Sequence, residues 1–328
     1  MSTITRLLLS IVILPAFLSS GFTQQFANLT PRMSSVVVNV FDTRGNAIRN
    51  LTKENFRVRL NGKPVAVVDA QYNLAPRRIV VLLDMSGSMT GEEGPEKWQI
   101  ARDAVDDLLV QAPGNVPIPM LTFADNVHDV FDFPQSRTAI AKWLRENESQ
   151  RPNLKRPART ALFDAILAAL KLMAAIQPGD VIYAITDGGE DASQASAAQT
   201  EVALLQSRVR LFAFLFSEPL QLPAEQEGKD SVLKLVEDSG GFVFGIAGRQ
   251  RPFAASWNFV YAYGKDSREK ITASTKEFNI QVNGFWTLDL AAPSSNKDSK
   301  VKLEVVGPEG RMRKDIGITY ARVLPAAK

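Results

Sequence analysis

Residues 78–88 read RIVVLLDMSGS, a continuous apolar run followed at once by an acidic residue, two serines and a glycine. A run of this kind is expected for a strand covered on both faces, as in the parallel sheets of α/β proteins. Because Gly87 permits a sharp turn, the carboxylate of Asp84 and the hydroxyls of Ser86 and Ser88 can converge. Ligands of open α/β sheets bind at the carboxyl ends of strands, and oxygen ligands suit Mg²⁺. The stretch therefore predicts a buried strand with a cation site at its end.

The region from Arg77 to Ile246 continues this pattern by alternating strands with helices. Two further apolar runs, DVIYAI at 180–185 and VRLFAFLF at 209–216, predict buried strands, and residues 96–111 have the apolar spacing of a helix. Repeated βα units predict an α/β fold of the Rossmann-like, doubly wound kind, with a mainly parallel sheet and helices on both faces.

Both flanks of this region carry β-strand signals. Residues 29–74 contain strand-like runs and a tight hairpin turn at Asn61-Gly62. Residues 267–328 predict a helix over 267–276 and then strands near 278–282, 286–290, 300–306 and 311–320. Neither flank has enough strands for independent stability. We therefore predict that the two flanks pair into one β-sandwich, with the α/β domain inserted between them.

The first residues predict an export signal over residues 1–24. Arg6 supplies a positive charge, and residues 7–18 (LLLSIVILPAFL) are apolar and followed by small residues. This run is too short to span a bilayer. The mature chain is expected to begin near Gly21 to Gln25, to carry no transmembrane segment and to reside in the periplasm or outside the cell. An N-terminal membrane anchor is the alternative.

The amino-acid composition excludes several kinds of functional site. The chain has no Cys and a single His, His128, which excludes thiolate sites and multi-histidine metal sites. A net charge of +3 in 328 residues is too small to indicate nucleic-acid binding. No G-x-S-x-G elbow surrounds Ser86 and Ser88, so a Ser–His–Asp triad through His128 is not expected. Oxygen ligation of a hard cation remains.

Three segments resemble the metal-ion-dependent adhesion site of von Willebrand factor A domains, which occur in integrins and matrix proteins. DMSGS at 84–88 matches the DxSxS of that site, RTAL at 159–162 contains its threonine, and AITDG at 184–188 contains its later aspartate. The resemblance covers about residues 77–246. It implies a bound divalent cation, Mg²⁺ with Mn²⁺ or Ca²⁺ as alternatives, whose ligands would be Asp84, Ser86, Ser88, Thr160 and Asp187.

The resemblance also implies a binding function rather than catalysis. In such domains one coordination position stays open, and the Asp or Glu of a protein partner completes it. Two alternatives stay open: a metal-assisted hydrolase, with Glu190, Asp191 or His128 as the base, and a scaffold whose ion only stabilises the loop. Residues 38–63 are similar to the segment before the A domain in exported bacterial proteins described as VWFA-related, from Acidobacteria.

The neighbours of the expected ligands differ from the family pattern at one position. Many A domains have Gly before the ligand Thr, whereas this chain has Arg159. A unit charge about 8 Å from a divalent ion in water costs about 1 kcal/mol, which is about fivefold in affinity. The alternative is that Arg159 points into solvent. Glu190 and Asp191 are expected in a solvated loop, with support of the metal ligands as the alternative. Asp164 is expected to serve the start of its own helix.

Overall fold

The structure is a computed structural model that describes residues 34–74, 77–90, 95–133, 137–147, 159–177, 179–216, 223–244, 267–292 and 295–326. The predicted signal peptide and its cleavage region lie outside these residues. None of the helices within the described ranges is long and apolar enough to cross a membrane.

The elements alternate between strand-rich ends and a mixed centre. In chain order the strands are β1 (Ser34–Asp42), β2 (Phe56–Leu60), β3 (Lys63–Val65), β4 (Val67–Asn73), β5 (Ile79–Asp84), β6 (Met120–Phe123), β7 (Val127–Phe131), β8 (Val181–Thr186), β9 (Arg210–Leu215), β10 (Val243–Phe244), β11 (Phe285–Leu290), β12 (Ser299–Val305), β13 (Ile316–Tyr320) and β14 (Val323–Leu324). The helices are α1 (Gly87–Thr90), α2 (Pro95–Gln111), α3 (Arg137–Glu146), α4 (Leu162–Met173), α5 (Ala197–Ser207), α6 (Pro223–Ser239) and α7 (Ser267–Val282). A 3-10 turn at Lys53–Asn55 precedes β2.

The central sheet has the order β10-β9-β8-β5-β6-β7, with β7 as an antiparallel edge strand beside parallel neighbours. Every residue of β5, β8 and β9 is buried. Along β5, Ile79, Val81 and Leu83 pack into one core with residues of α2, α3 and α7, whereas Val80 and Leu82 pack into another with residues of α4, α5 and α6. This period of two explains why the strand is apolar throughout. The prediction of a doubly wound α/β fold is confirmed.

The two β-rich flanks form two four-stranded sheets, of order β13-β1-β11-β4 and β14-β12-β2-β3. Each sheet takes strands from both ends of the chain, and β1 pairs with β11 and β13. Residues of both sheets share one core, for example Val38 on β1, Val58 on β2 and Leu303 on β12. The predicted pairing of the flanks is therefore observed, and the α/β domain is inserted between β4 and β11.

A buried arginine joins the central sheet to the β-sandwich formed by the flanks. Arg210 on β9 is 2% exposed, and its Nη1 donates to Asn39 Oδ1 on β1 at 2.6 Å. Asn39 Nδ2 in turn donates to the carbonyls of Gln281 and Gly284, both at 2.8 Å. The Arg210 guanidinium lies over the ring of Phe285, 5.3 Å from its centroid. Burial, together with the positive charge of Arg77, lowers the pKa of Arg210 to about 9.

The strand predicted over 278–282 is wrong, because these residues form the last turns of α7. Phe278 and Val282 lie one helical turn apart and are both buried. The ring of Phe278 stacks on that of Tyr183 with centroids 4.3 Å apart, which fixes the helix on the central sheet. The strand predicted over 311–320 is also shorter, since regular pairing begins at Ile316.

Candidate metal centre

The DMSGS loop follows β5, and Asp187 follows β8, the neighbouring strand of the sheet. Because the two strands are parallel, their carboxyl ends meet at one edge, as the sequence predicted. Thr160 stands two residues before α4, and Ala161 N binds Ala124 O beyond the end of β6 at 2.6 Å. These contacts bring the expected ligand residues to one edge of the sheet.

Asp84 is the most buried of these residues, with an exposed fraction of 0%. Its Oδ1 accepts a hydrogen bond from Ser86 N at 2.8 Å, and its Oδ2 accepts one from Thr186 Oγ1 at 2.5 Å. Burial, together with the like charge of Asp187, raises the pKa of Asp84 to about 7, against the opposing effect of these hydrogen bonds. A nearby positive charge would therefore stabilise the ionised carboxylate.

The DMSGS loop is held by one helical turn, α1. Met89 N and Thr90 N both donate to Ser86 O at 3.0 Å, and Thr90 Oγ1 donates to the same carbonyl at 3.0 Å. This turn leaves Ser86 Oγ and Ser88 Oγ 3.2 Å apart. Ser86 is buried and Ser88 is exposed. Exposure to solvent therefore increases along the loop, from the buried Asp84 and Ser86 to the exposed Ser88.

Thr160 and Asp187 meet beside a glycine. A Cβ added to Gly189 would lie 3.2 Å from Thr160 Oγ1 and 3.6 Å from Asp187 Oδ1. Both oxygens thus border the bare α-carbon of Gly189, and a side chain there would enter the space beside them. The preceding Gly188 has φ +83°, a left-handed conformation that favours glycine.

Two acids after Asp187 hold the Thr160 loop, which agrees with the alternative that they support the expected ligands, although the Asp191 side chain is also 59% exposed. Asp191 Oδ1 accepts from Thr160 N at 2.7 Å. Glu190 accepts from Phe163 N at 2.9 Å through Oε2 and from Ser193 N at 2.9 Å through Oε1. These carboxylates connect the start of α4 to the loop after β8. They thereby hold the backbone of Thr160 in position at the end of the sheet.

Asp164 lies in the first turn of α4, as expected, and its carboxylate also holds a neighbouring loop. Its carboxylate does not cap its own helix but accepts from Gln194 N at 2.8 Å and Ala195 N at 3.0 Å. The side chain therefore joins the first turn of α4 to the segment that leads into α5. Asp164 is a support of the loop rather than a ligand.

A lysine not singled out from the sequence lies in the site. Lys97 Nζ on α2 donates to Asp187 Oδ2 at 3.1 Å. The two side chains are 15% and 11% exposed. No local signal marks Lys97, since a lysine on a helix is normally solvated. Thr186, which holds Asp84, was also missed, although a hydroxyl ending an apolar strand was a usable signal.

Arg159 and His128 lie in other contacts. Arg159 is 63% exposed, and its Nε lies 3.3 Å from Asp191 Oδ2. Its charge is thus at the solvent side of the Thr160 loop. His128 stands on the edge strand β7, and its Nε2 lies 3.3 Å from Asp125 Oδ1. His128 is two strands away from β5 in the sheet and Asp125 lies in the turn before β7, so this pair gives no support to a catalytic triad.

The donor set fits a hard divalent cation. It comprises two carboxylates and three hydroxyls, all oxygen ligands of the kind that Mg²⁺ accepts. Among the described residues, no three His, Cys, Asp or Glu side chains are grouped so that they could hold a metal ion. The candidate site therefore depends on hydroxyl oxygens in addition to its two carboxylates. With two carboxylates close enough to perturb each other, a cation would relieve their repulsion.

Residues 79–190 match the model of the von Willebrand factor type A domain family. The match spans about a third of the chain and includes all five predicted ligands. It shows that the central part of the chain is a von Willebrand factor type A domain, as the sequence predicted. No curated protein matches the chain.

Solved structures with similarity to this chain have low identity. BatB, a conserved hypothetical protein from Bacteroides thetaiotaomicron, is 17% identical with a TM-score of 0.45, covering 62% of this chain and 98% of its own. Proximal thread matrix protein 1 from the mussel byssus, with a zinc-occupied MIDAS motif, is 15% identical with a TM-score of 0.47, covering 68% and 50%. A von Willebrand factor type A protein from Catenulispora acidiphila is 12% identical with a TM-score of 0.40, covering 89% and 74%.

Proposed function

We propose that this type A domain binds a divalent cation and, through it, a carboxylate of a protein partner. The observation that supports the proposal is that Asp84 and Asp187 follow from neighbouring parallel strands, so that their carboxylates stand at the same edge of the sheet as the Ser86, Ser88 and Thr160 loops. The ligands would be Asp84, Ser86, Ser88, Thr160 and Asp187. Mg²⁺ is the proposed ion, with Mn²⁺ and Ca²⁺ as alternatives.

The gradient of burial supports a role in recognition. Asp84 and Ser86 lie at the bottom of the site, whereas Ser88 is exposed. A cation held there would offer its positive charge toward solvent on the side of Ser88. The two charged ligands would only balance the charge of the divalent ion, and the three hydroxyls are weak neutral donors, so the ion would stay electron-poor enough to accept an Asp or Glu oxygen at an open position. The buried ligands need little reorganisation, since Thr186 and Ser86 already orient Asp84.

Binding fits the site better than hydrolysis does. A hydrolase needs a base free to take a proton from water. The candidates are engaged elsewhere: Glu190 accepts from three donors of the loops, Asp191 holds Thr160 N and Arg159, and His128 lies beside Asp125. We therefore propose that the domain is an interaction module and not an enzyme.

The proposed setting is outside the cytoplasm, in the periplasm or the extracellular space. Its support is the leader-like sequence of residues 1–24, with Arg6 before an apolar run. N-terminal sequencing of exported material should give a start near Gly21 to Gln25. Material that still began at Met1 would contradict export by cleavage.

The test is calorimetric titration of the chain with MgCl₂. Asp84→Ala should abolish measurable binding, because it removes a charged ligand, while circular dichroism shows a persisting fold. Asp315→Ala is the matched control, since it removes an aspartate carboxylate that is 63% exposed and paired with Arg313 in the β-rich flank. Equal Mg²⁺ affinity in Asp84→Ala and the wild type would refute the site.

A second experiment separates the functions. The chain is used to capture proteins from envelope and extracellular fractions in Mg²⁺ or in EDTA. Retention that needs both Mg²⁺ and Asp84 supports recognition through the ion. Turnover of a generic ester or phosphate that is lost in Asp84→Ala would favour the hydrolase instead. A Mg²⁺-dependent rise in melting temperature without any metal-dependent partner would favour the scaffold.

A further inference from the structure

The Lys97–Asp187 ion pair lies within the proposed ligand set. Lys97 Nζ is 3.1 Å from Asp187 Oδ2, and both side chains are largely shielded from solvent. Asp187 Oδ1 is instead the oxygen near Gly189, 3.6 Å from the position of a Cβ that would lie 3.2 Å from Thr160 Oγ1. The carboxylate of Asp187 is thus shared between an ammonium on one oxygen and the proposed cation site on the other.

The position of Lys97 is unfavourable for its own helix. It is the third residue of α2, and the N-terminal turn of a helix carries partial positive charge that disfavours a cation. The site offsets part of this cost, because Asp84 and Asp187 repel each other when both are ionised. The ammonium therefore supplies positive charge that these two carboxylates require.

An ammonium and a divalent ion on one carboxylate repel each other. Mg²⁺ binds oxygen at about 2.0–2.1 Å. With Lys97 still 3.1 Å from the same carboxylate group, the two cations would lie within a few ångströms, in a place where water screens them poorly. Loading of the site is thus an exchange of one cation for another.

We propose that the Lys97 ammonium competes with the divalent cation for Asp187. The ammonium must move away from Asp187 when the ion binds. This inference rests on the proposed cation site. Lys97 lowers the affinity of the site for the divalent cation. When no ion is bound, its positive charge balances part of the negative charge of Asp84 and Asp187. The domain would then load its ion only where the concentration of the ion is high enough to displace the ammonium.

The first test is titration of the full chain with MgCl₂ in the wild type, Lys97→Gln and Lys142→Gln. Lys97→Gln should bind Mg²⁺ about tenfold more tightly, a change that corresponds to about 1.4 kcal/mol. Lys142→Gln is the matched control for charge, because Lys142 is 69% exposed and pairs with Glu146 on α3. It should bind as the wild type does. Equal or weaker binding in Lys97→Gln would overturn the inference.

The second test needs no variant and so stands even if Lys97→Gln folds poorly. The wild-type chain is labelled with an amine-acylating reagent, and each lysine is followed by mass spectrometry. Mg²⁺ should increase the labelling rate of Lys97 several-fold and leave that of Lys142 unchanged. If Mg²⁺ binds but Lys97 is labelled no faster, the inference fails while the proposed function stands. If neither the wild type nor Lys97→Gln binds Mg²⁺, the proposed function fails, and the inference with it.

Discussion

The substitution Gly189→Ala tests the cation site through geometry alone, because it adds no charge and removes no ligand. The new methyl carbon would lie 3.2 Å from Thr160 Oγ1 and 3.6 Å from Asp187 Oδ1. The φ of Gly189 lies outside the left-handed region, so alanine is compatible with its backbone. The first contact is tight, and relief requires Thr160 Oγ1 to move by a few tenths of an ångström.

This displacement should weaken Mg²⁺ binding about tenfold. Mg²⁺ demands near-ideal octahedral geometry at about 2.0–2.1 Å, so a shift of that size in one ligand oxygen removes most of its contribution. The loss of one neutral ligand at about 1.4 kcal/mol corresponds to a factor of ten. The free energy of unfolding should change by less than about 1 kcal/mol, because a Gly→Ala change at a compatible φ stabilises by restricting the unfolded chain and offsets the contact.

The assay is calorimetric titration with MgCl₂, together with urea denaturation in EDTA. Gly114→Ala is the control, since a Cβ there meets nothing within 4 Å. It should leave the Mg²⁺ affinity unchanged. An unchanged affinity in a folded Gly189→Ala chain would refute the assignment of Thr160 and Asp187 as ligands of one ion. A lowered affinity together with a large loss of stability would show instead that the loop had rearranged.

Two further outcomes are expected. Arg159→Gly should tighten Mg²⁺ binding by up to about fivefold in low salt and by little in high salt, because the exposed charge is screened over about 8 Å at physiological ionic strength; weaker binding in calorimetry would show that its pair with Asp191 holds Thr160 in place. In EDTA the free energy of unfolding should fall as pH rises from about 4 to about 7, since the raised pKa of Asp84 makes the folded chain bind more protons than the unfolded chain in that window. Asp84→Asn should flatten that slope in urea denaturation, and an unaltered slope would assign it to other groups.

Much of the fold was predictable because burial leaves a plain pattern. Strands β5, β8 and β9 are covered on both faces, so their sequences are apolar without alternation. The segment FNIQV at 278–282 misled because its apolar residues fit two periods. Phe278, Ile280 and Val282 alternate as in a strand, while Phe278 and Val282 also stand one helical turn apart. The packing of Phe278 against Tyr183, Phe212 and Phe244 decides for the helix.

The site was predictable to the extent that its oxygens stand in local motifs. DMSGS at 84–88 could be identified from the chain alone, and its loop lies where the strand order places it. Lys97 could not be predicted, because its partner Asp187 is 90 residues away and nothing near Lys97 in sequence points to it. The same holds for Asp191, whose bond to Thr160 N arises only when two loops approach each other. Whether the five predicted ligands bind an ion stays a prediction, as do the segment bounds drawn from the sequence.

The insertion of the α/β domain into the β-sandwich has a consequence for the order of folding. β1 pairs with β11 and β13, and Asn39 bonds to Gly284, 245 residues along the chain. A newly made chain holds β1 long before its partners exist, and closing so long a loop is entropically costly. The central domain can fold first, and its last helix, α7, leads straight into β11 while its first strand follows β4. Once the central domain has folded, the ends of β4 and β11 are held near each other. The C-terminal strands can then pair with the N-terminal strands without closing a long flexible loop.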